Sequence, residues 1–299
     1  MSSFGANRRG IVAMVASMGL FIAGDSVAKQ VAMLYPPGEV LFFRTAMILA
    51  FLAILLVATG QFRDFRAALR GPNRLRAVLD GIASLLYLVT LVHLPLATLA
   101  AVILTVPLMM TAMSVVLFGE QVGWRRWTAI AVGLLGALIV VKPSPAAFDA
   151  WALVGFASAI ATSGRDLTTS RLHPSMPSFL VTFTGAIMIL TAGAALGLTE
   201  QWRVFVWQDF SLLAVGAVFH CIAGVCLVIA SRNGKISVVA PFRYVFLVWA
   251  ALAGYLVFGE VPDRWSILGG ALIVGSGLYA LHRERVRGRN VAATLSDPL

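Results

Sequence analysis

Apolar runs of about twenty residues recur along this chain, and a short polar gap cuts off each one. A helix crossing a hydrocarbon core needs about 20 such residues. The runs predict ten helical spans, at 10–33, 38–59, 74–93, 97–118, 124–142, 150–172, 177–198, 209–230, 237–258 and 264–282. They are apolar on every face and rich in Gly and Ala, which suits helices packed through small residues. A transmembrane barrel would instead alternate apolar and polar positions over segments of about ten residues, and the chain has no such alternation. The expected fold class is therefore an all-α integral membrane protein with ten transmembrane helices.

Composition supports the pattern. Of the 299 residues, 60% are hydrophobic and 12% charged, against about 25% charged in soluble domains. The formal net charge is +10. The cations sit in the gaps between spans and form no basic domain, which argues against a nucleic-acid partner. Arg8 and Arg9 precede the first run, but 10–33 is too long for the core of a cleaved leader. Cys221 and Cys226 stand about 140° apart around a helix, so they are poorly placed to pair. No metal-ligand spacing is present, and neither a cofactor nor a metal is expected.

Short connections let the cation bias set orientation. With the N-terminus in the cytoplasm, inside segments hold sixteen basic residues and outside segments three, namely Lys142, Arg203 and Arg264. Both termini are expected inside the cell, with 1–9 and 283–299 as cytoplasmic ends and the latter disordered. The basic stretch Gln61 to Asn73 places Phe62, Phe65 and Leu69 on one helical face. It reads either as a helix along the inner surface or as a solvated loop.

The chain also repeats. Phe118-Gly119-Glu120 recurs as Phe258-Gly259-Glu260, an offset of 140, and Met47-Ile48-Leu49 recurs as Met188-Ile189-Leu190, an offset of 141. In the same register Asp25 falls on Asp166, Pro36 on Pro177, Phe42 on Phe183 and Asp80 on His220. The expected halves are 10–142 and 150–282, with five spans each. Five is odd, so the second copy enters the membrane from the opposite side, an arrangement that provides two states related by a pseudo-two-fold axis.

On these features the sequence resembles the drug/metabolite transporter superfamily, in its ten-helix EamA-type branch. The resemblance is carried by the two five-span halves, by TVPLMM (Thr105 to Met110), and by Glu120 and Glu260 closing spans four and nine. The glycine-rich stretches Gly133 to Val140 and Gly269 to Tyr279 add to it. Within the branch it is most similar to YddG-type exporters of aromatic and neutral amino acids. The resemblance implies a secondary transporter of the bacterial inner membrane, exporting small amphipathic metabolites by alternating access. An importer or exchanger of the same fold is one alternative, and a broad exporter of drug-like organic cations is another. Proton coupling is left open. An intramembrane enzyme would need a catalytic constellation, and no HExxH, GxSxG or GxGD occurs. A channel would need a filter loop, and nothing resembles one.

Charges inside spans are costly, about 2.5–3.5 kcal/mol at a helix centre on insertion scales, so they need a purpose. Asp25 and Lys29 are four apart and can neutralise each other. By depth, an outer cluster of Asp25, Lys29 and Arg44 and an inner one of Asp80, Asp166 and Arg243 are expected. These are either gates that break and re-form or static ion pairs. Arg165 is set aside because i,i+1 neighbours face different ways. Glu120 is expected to pair with Arg125 or Arg126, and Glu260 with Arg264. Between the clusters the substrate site is expected from Met18, Phe21, Ser84, Tyr87, Thr90, Thr105, Pro107, Met110, Ser158, Thr162, His220, Tyr244 and Trp249. Pro107 frees carbonyls of the preceding turn, and Pro241 is expected to do the same nearer the inside. Aromatic, Met and hydroxyl groups together suit a solute with an ammonium, a carboxylate and an apolar side chain.

Overall fold

In a computed structural model the protein is a helical bundle, described for residues 3–60, 65, 71–119, 123–141, 150–172, 176–233 and 239–296. The first half contains α1 (Ser3–Ala32), α2 (Pro37–Ala58), α3 (Pro72–His93), α4 (Leu96–Ile103), α5 (Val106–Phe118) and α6 (Trp124–Val141). The second contains α7 (Ala150–Thr169), α8 (Ser178–Gly197), α9 (Trp207–Asn233), a 3-10 turn (Ala240–Tyr244), α10 (Val245–Phe258) and α11 (Arg264–Ser296). α4 with α5 and the 3-10 turn with α10 each form one rod, so ten rods are present.

Local chemistry sets the boundaries. Proline opens α2 and α3 at their first positions, and Pro95 and Pro177 stand just before α4 and α8. This suits a residue that lacks the N–H a first turn leaves unused. Gly119 and Gly259 close α5 and α10 in the left-handed conformation, at φ 65° and 66°. The fourth rod breaks at Leu104 and Thr105, where Pro107 brings no N–H for the carbonyl of Ile103. Pro241 sits at the start of the 3-10 turn, and residues 234–238, which precede that turn, lie outside the described residues.

Among the described residues, six rods are long and apolar enough to span a membrane by length and composition alone: Arg8–Ala32, Pro37–Ala58, Pro72–His93, Leu96–Phe118, Phe179–Gly197 and Trp207–Leu227. The rods built on α6 and α10 are apolar but shorter. α7 carries Arg165 and Asp166 near its end. The last rod does not stop near 282. It continues to Ser296, through a stretch of Arg, Val, Ala and Leu that carries no Pro. Of residues 61–70 only Phe65 is described, and it packs against Leu56, Leu180 and Phe183. Phe62 and Leu69 lie outside the described residues.

The packing respects the repeat. α1 lies along α9, and its counterpart α7 lies along α3, the counterpart of α9. α2 meets α8, and α6 meets α11, each joining a helix to its own repeat mate. α1 also meets α10, as α7 meets α5. Exchanging the two halves leaves this set of neighbours unchanged. α6 crosses α11 closely, and a Cβ added to Gly269 would run into the carbonyl oxygen of Gly136. Small residues there let the backbones touch.

Candidate functional site

One face of α1 runs through Met18, Ile22, Asp25 and Lys29, at helical spacings of four, three and four. All four are buried. Three layers of chemistry lie along or opposite this face.

The central layer is built on Asp25. The Tyr87 hydroxyl of α3 donates to its Oδ2 at 2.7 Å. A terminal nitrogen of Arg44, from α2, stands 3.6 Å from Oδ1, and Nε2 of His220, from α9, stands 3.4 Å from it. Four helices thus converge on one carboxylate. His220 reaches α1 because residue 24 is glycine: a Cβ there would overlap the imidazole. Phe21 meets the His220 ring edge-on, with centroids 5.4 Å apart. One turn back, Trp249 of α10 packs on Gly19 and joins Met14 and Met18 in an apolar cluster. Nε and one terminal nitrogen of Arg44, Nδ1 of His220 and Nε1 of Trp249 are buried with no hydrogen-bond partner among the described residues. Leaving a buried polar group unmatched costs about 1–3 kcal/mol. These groups lie in the Asp25 layer and on the turn next to it.

The layer toward the end of α1 contains Lys29, and here the expected pairing changes. Lys29 does not close on Asp25. Its Nζ reaches Oε1 of Glu260 at 2.6 Å and the carbonyl of Leu94 at 2.8 Å, and lies 4.8 Å from the centre of the Phe258 ring. The other oxygen of Glu260 accepts the N–H of Leu96 at 2.8 Å. Arg264, the expected partner of Glu260, instead lies over Trp265. The reason is positional: Asp25 is already occupied from three other helices, while Gly259 turns the chain so that Glu260 folds back toward α1. Glu120 lies outside the described residues.

The third layer, at the opposite end, holds Asp80 and Asp166 with two arginines. Arg165 bonds Asp80 at 2.9 Å and Asp166 at 2.8 Å. Arg76 stands 3.2 Å from Asp80 and donates to the carbonyl of Val181 at 2.7 Å. Two corrections follow. Arg243, expected here, is exposed on the 3-10 turn and takes no part. Arg165, set aside because of its i,i+1 spacing, is the bridge: that spacing separates Cβ directions, but a long guanidinium can curl back to its neighbour. The i,i+4 spacing of Arg76 and Asp80 was the signal available for the other arginine.

The remaining candidates divide. Ser158 donates to the carbonyl of Ala83 at 2.9 Å, which ties α7 to α3. Thr90 and Thr105 are fully buried and bond back to Leu86 and Val102 of their own rods. Tyr244 is buried between α6 and α11, against Ala137 and Ile273. These four hydroxyls are committed to packing. Ser84, Pro107, Met110 and Thr162 are half-buried. The larger open cavity lies elsewhere, about 490 Å³ walled by Phe43, Trp202, Phe205, Trp207 and Phe210 with Glu39 and Arg203, and it includes none of the three layers.

Comparison with known proteins adds a second line of observation. Residues 8–142 match the EamA-like transporter family. The chain is 26% identical over 276 residues to a pseudopaline exporter of Pseudomonas aeruginosa, covering 89% of this chain and 94% of the relative. It is 27% identical to an S-adenosylmethionine uptake transporter of Rickettsia felis, covering 88% and 89%. It is 29% identical to a riboflavin transporter of Vibrio cholerae, covering 90% and 91%. A crystal structure superimposes with a TM-score of 0.60 at 19% identity, over 93% of this chain and 98% of the other, and at that identity speaks to fold alone. The named relatives are transporters, not enzymes. They do not single out exporters of amino acids.

Proposed function

We propose that this multi-pass membrane protein, a metabolite transporter of the EamA type, carries a zwitterionic, amphipathic solute of the neutral or aromatic amino acid class out of the cell across a bacterial inner membrane. The observation that carries the reading is the Asp25 layer, where a buried carboxylate is held by Tyr87, Arg44 and His220 while Nε of Arg44, and the terminal nitrogen that meets Asp25 only at 3.6 Å, make no hydrogen bond among the described residues. A substrate carboxylate takes those N–H groups, and charge-assisted hydrogen bonds of this kind are the strong ones. A substrate ammonium takes the share of Asp25 that His220 holds at 3.4 Å. The apolar side chain lies toward Phe21, Met18 and Trp249, where methionines adapt to varied shapes. A drug-like organic cation fits less well, because no part of this layer offers a carboxylate free of an arginine.

Alternating access follows from the repeat. Asp25 and His220 meet in one half of the bundle, and their counterparts Asp166 and Asp80 are bridged by Arg165 in the other. With the cation bias placing both termini in the cytoplasm, the Lys29 end faces out and the Arg165 end faces in. The relatives include both an exporter and an uptake transporter, so direction is a separate measurement. Purified protein in liposomes, loaded with labelled phenylalanine or leucine, should release label faster than empty-protein controls, with and without an imposed proton gradient. Arg44→Gln should abolish release while Arg44→Lys retains part of it. Release of riboflavin but of no amino acid would overturn the substrate assignment.

A further inference from the structure

The Phe-Gly-Glu word ends a rod in each half, and the two copies are alike in shape as well as in sequence. Gly119 has φ 65° and ψ 23°, Gly259 φ 66° and ψ 16°, and each N–H returns to the carbonyl four residues back. Each copy also receives a cation from the end of the first helix of the other half. Lys29 closes α1 and lies over Phe258. Arg171, just past α7, lies 4.0 Å from the centre of the Phe118 ring. The repeat offset carries Lys29 to Ser170, so the second cation is displaced by one residue from the position that sequence matching indicates.

We propose that these are two latches working in alternation, Lys29 on Phe258 and Glu260 at one end and Arg171 on Phe118 at the other. The inference rests on the alternating-access reading but not on any particular substrate. The two latch cations differ in exposure in this structure. Lys29 is 2% exposed, and its partner Glu260 also grips the N–H of Leu96, so the whole 94–96 turn is drawn shut. Arg171 is exposed to solvent. A cation over an aromatic face contributes about 0.5–1 kcal/mol when exposed and about 2 or more when desolvated, so each latch strengthens as its own end closes. Because the halves exchange conformations, closing one latch loosens the other. A cavity of about 340 Å³ already lies beside Glu260, with Thr98 in its wall, and it widens when the Lys29 latch releases.

The test is reciprocal labelling in membrane vesicles. In a C221A/C226A background, Thr98→Cys reports the Lys29 end and Ser114→Cys, buried one turn before Phe118, reports the other. Lys29→Gln removes a hydrogen-bonded charge pair and should raise maleimide labelling at Thr98→Cys about tenfold while lowering it at Ser114→Cys. Arg171→Gln should do the reverse, by a smaller factor. Phe118→Leu should act like Arg171→Gln, which keeps the idea testable if the arginine variant inserts poorly, and Arg171→Lys should label like the parent. If Arg171→Gln and Phe118→Leu leave Ser114→Cys unchanged, or if both ends become more reactive in every variant, the latches are not coupled and the proposal is wrong. No substrate enters this measurement. Failure here with amino acid release intact sinks the latches alone, and reciprocal labelling without such release sinks the substrate assignment alone.

Discussion

The Asp25 and Asp80 layers occupy repeat-related places and have opposite chemistry. Asp25 corresponds to Asp166 and His220 to Asp80, so the same helix pairs meet in both. At the Asp80 end two carboxylates face two guanidiniums at 2.8–3.2 Å. That set is complete, and a complete set of buried charges holds helices together. At the Asp25 end one carboxylate faces one guanidinium at 3.6 Å and an imidazole at 3.4 Å, with nitrogen atoms left over. The difference traces to single substitutions between the halves. Arg44 has Gly185 as its counterpart, and a Cβ at Gly185 would collide with Asp80 and Arg76. Arg44 thus reaches the Asp25 layer from the second rod, whereas the Asp80 layer leaves room at Gly185 and draws its arginines from the third and sixth rods. The two ends share a frame, and the difference between Arg44 and Gly185 is one of the positions that separates them.

Four substitutions probe this contrast. Arg44→Gln leaves Asp25 buried without its permanent cation, and breaking a buried pair costs about 3–5 kcal/mol. A denaturation titration in detergent should show that loss together with abolished transport. Tyr87→Phe deletes one hydrogen bond to a charged group, about 1.5–3 kcal/mol, and should weaken substrate binding through a less well-held Asp25. A normal apparent affinity there would remove Tyr87 from the site. Gly185→Ala pushes a methyl into the complete cluster, and overpacking costs about 1–3 kcal/mol. Its signature should be lower stability with substrate affinity unchanged, because the damage lies at the filled end. Ser158→Ala removes an ordinary hydrogen bond to Ala83, about 0.5–1.5 kcal/mol, with transport per folded molecule equal to the parent. A transport defect in that variant would return Ser158 to the candidate site.

Much of the frame could be read directly along the chain. Apolar length marked ten rods, and the offset of 140–141 marked which rods correspond. Asp25, Arg44, His220, Phe21 and Trp249 were also visible, since an ionisable or aromatic residue within an apolar run stands out. The pairings were not. Lys29 was nearest in sequence to Asp25 yet joined Glu260, 231 residues away. Arg243 had the right depth but the wrong face. Arg165 was discounted on Cβ direction, although its side chain is long enough to reverse it. Thr90 and Thr105 looked like binding hydroxyls and proved to be bonded within their own rods.

The sequence alone determined which segments enter the bilayer and that they come in two related sets, because transfer into hydrocarbon depends on composition summed over a span and each span counts separately. Which charges meet, and which nitrogen atoms are left without partners, was decided only when the ten rods packed. A buried charge is satisfied by whatever group lies within about 3 Å of it, and that neighbour is set by helix rotation and glycine-permitted approach between segments far apart in the chain.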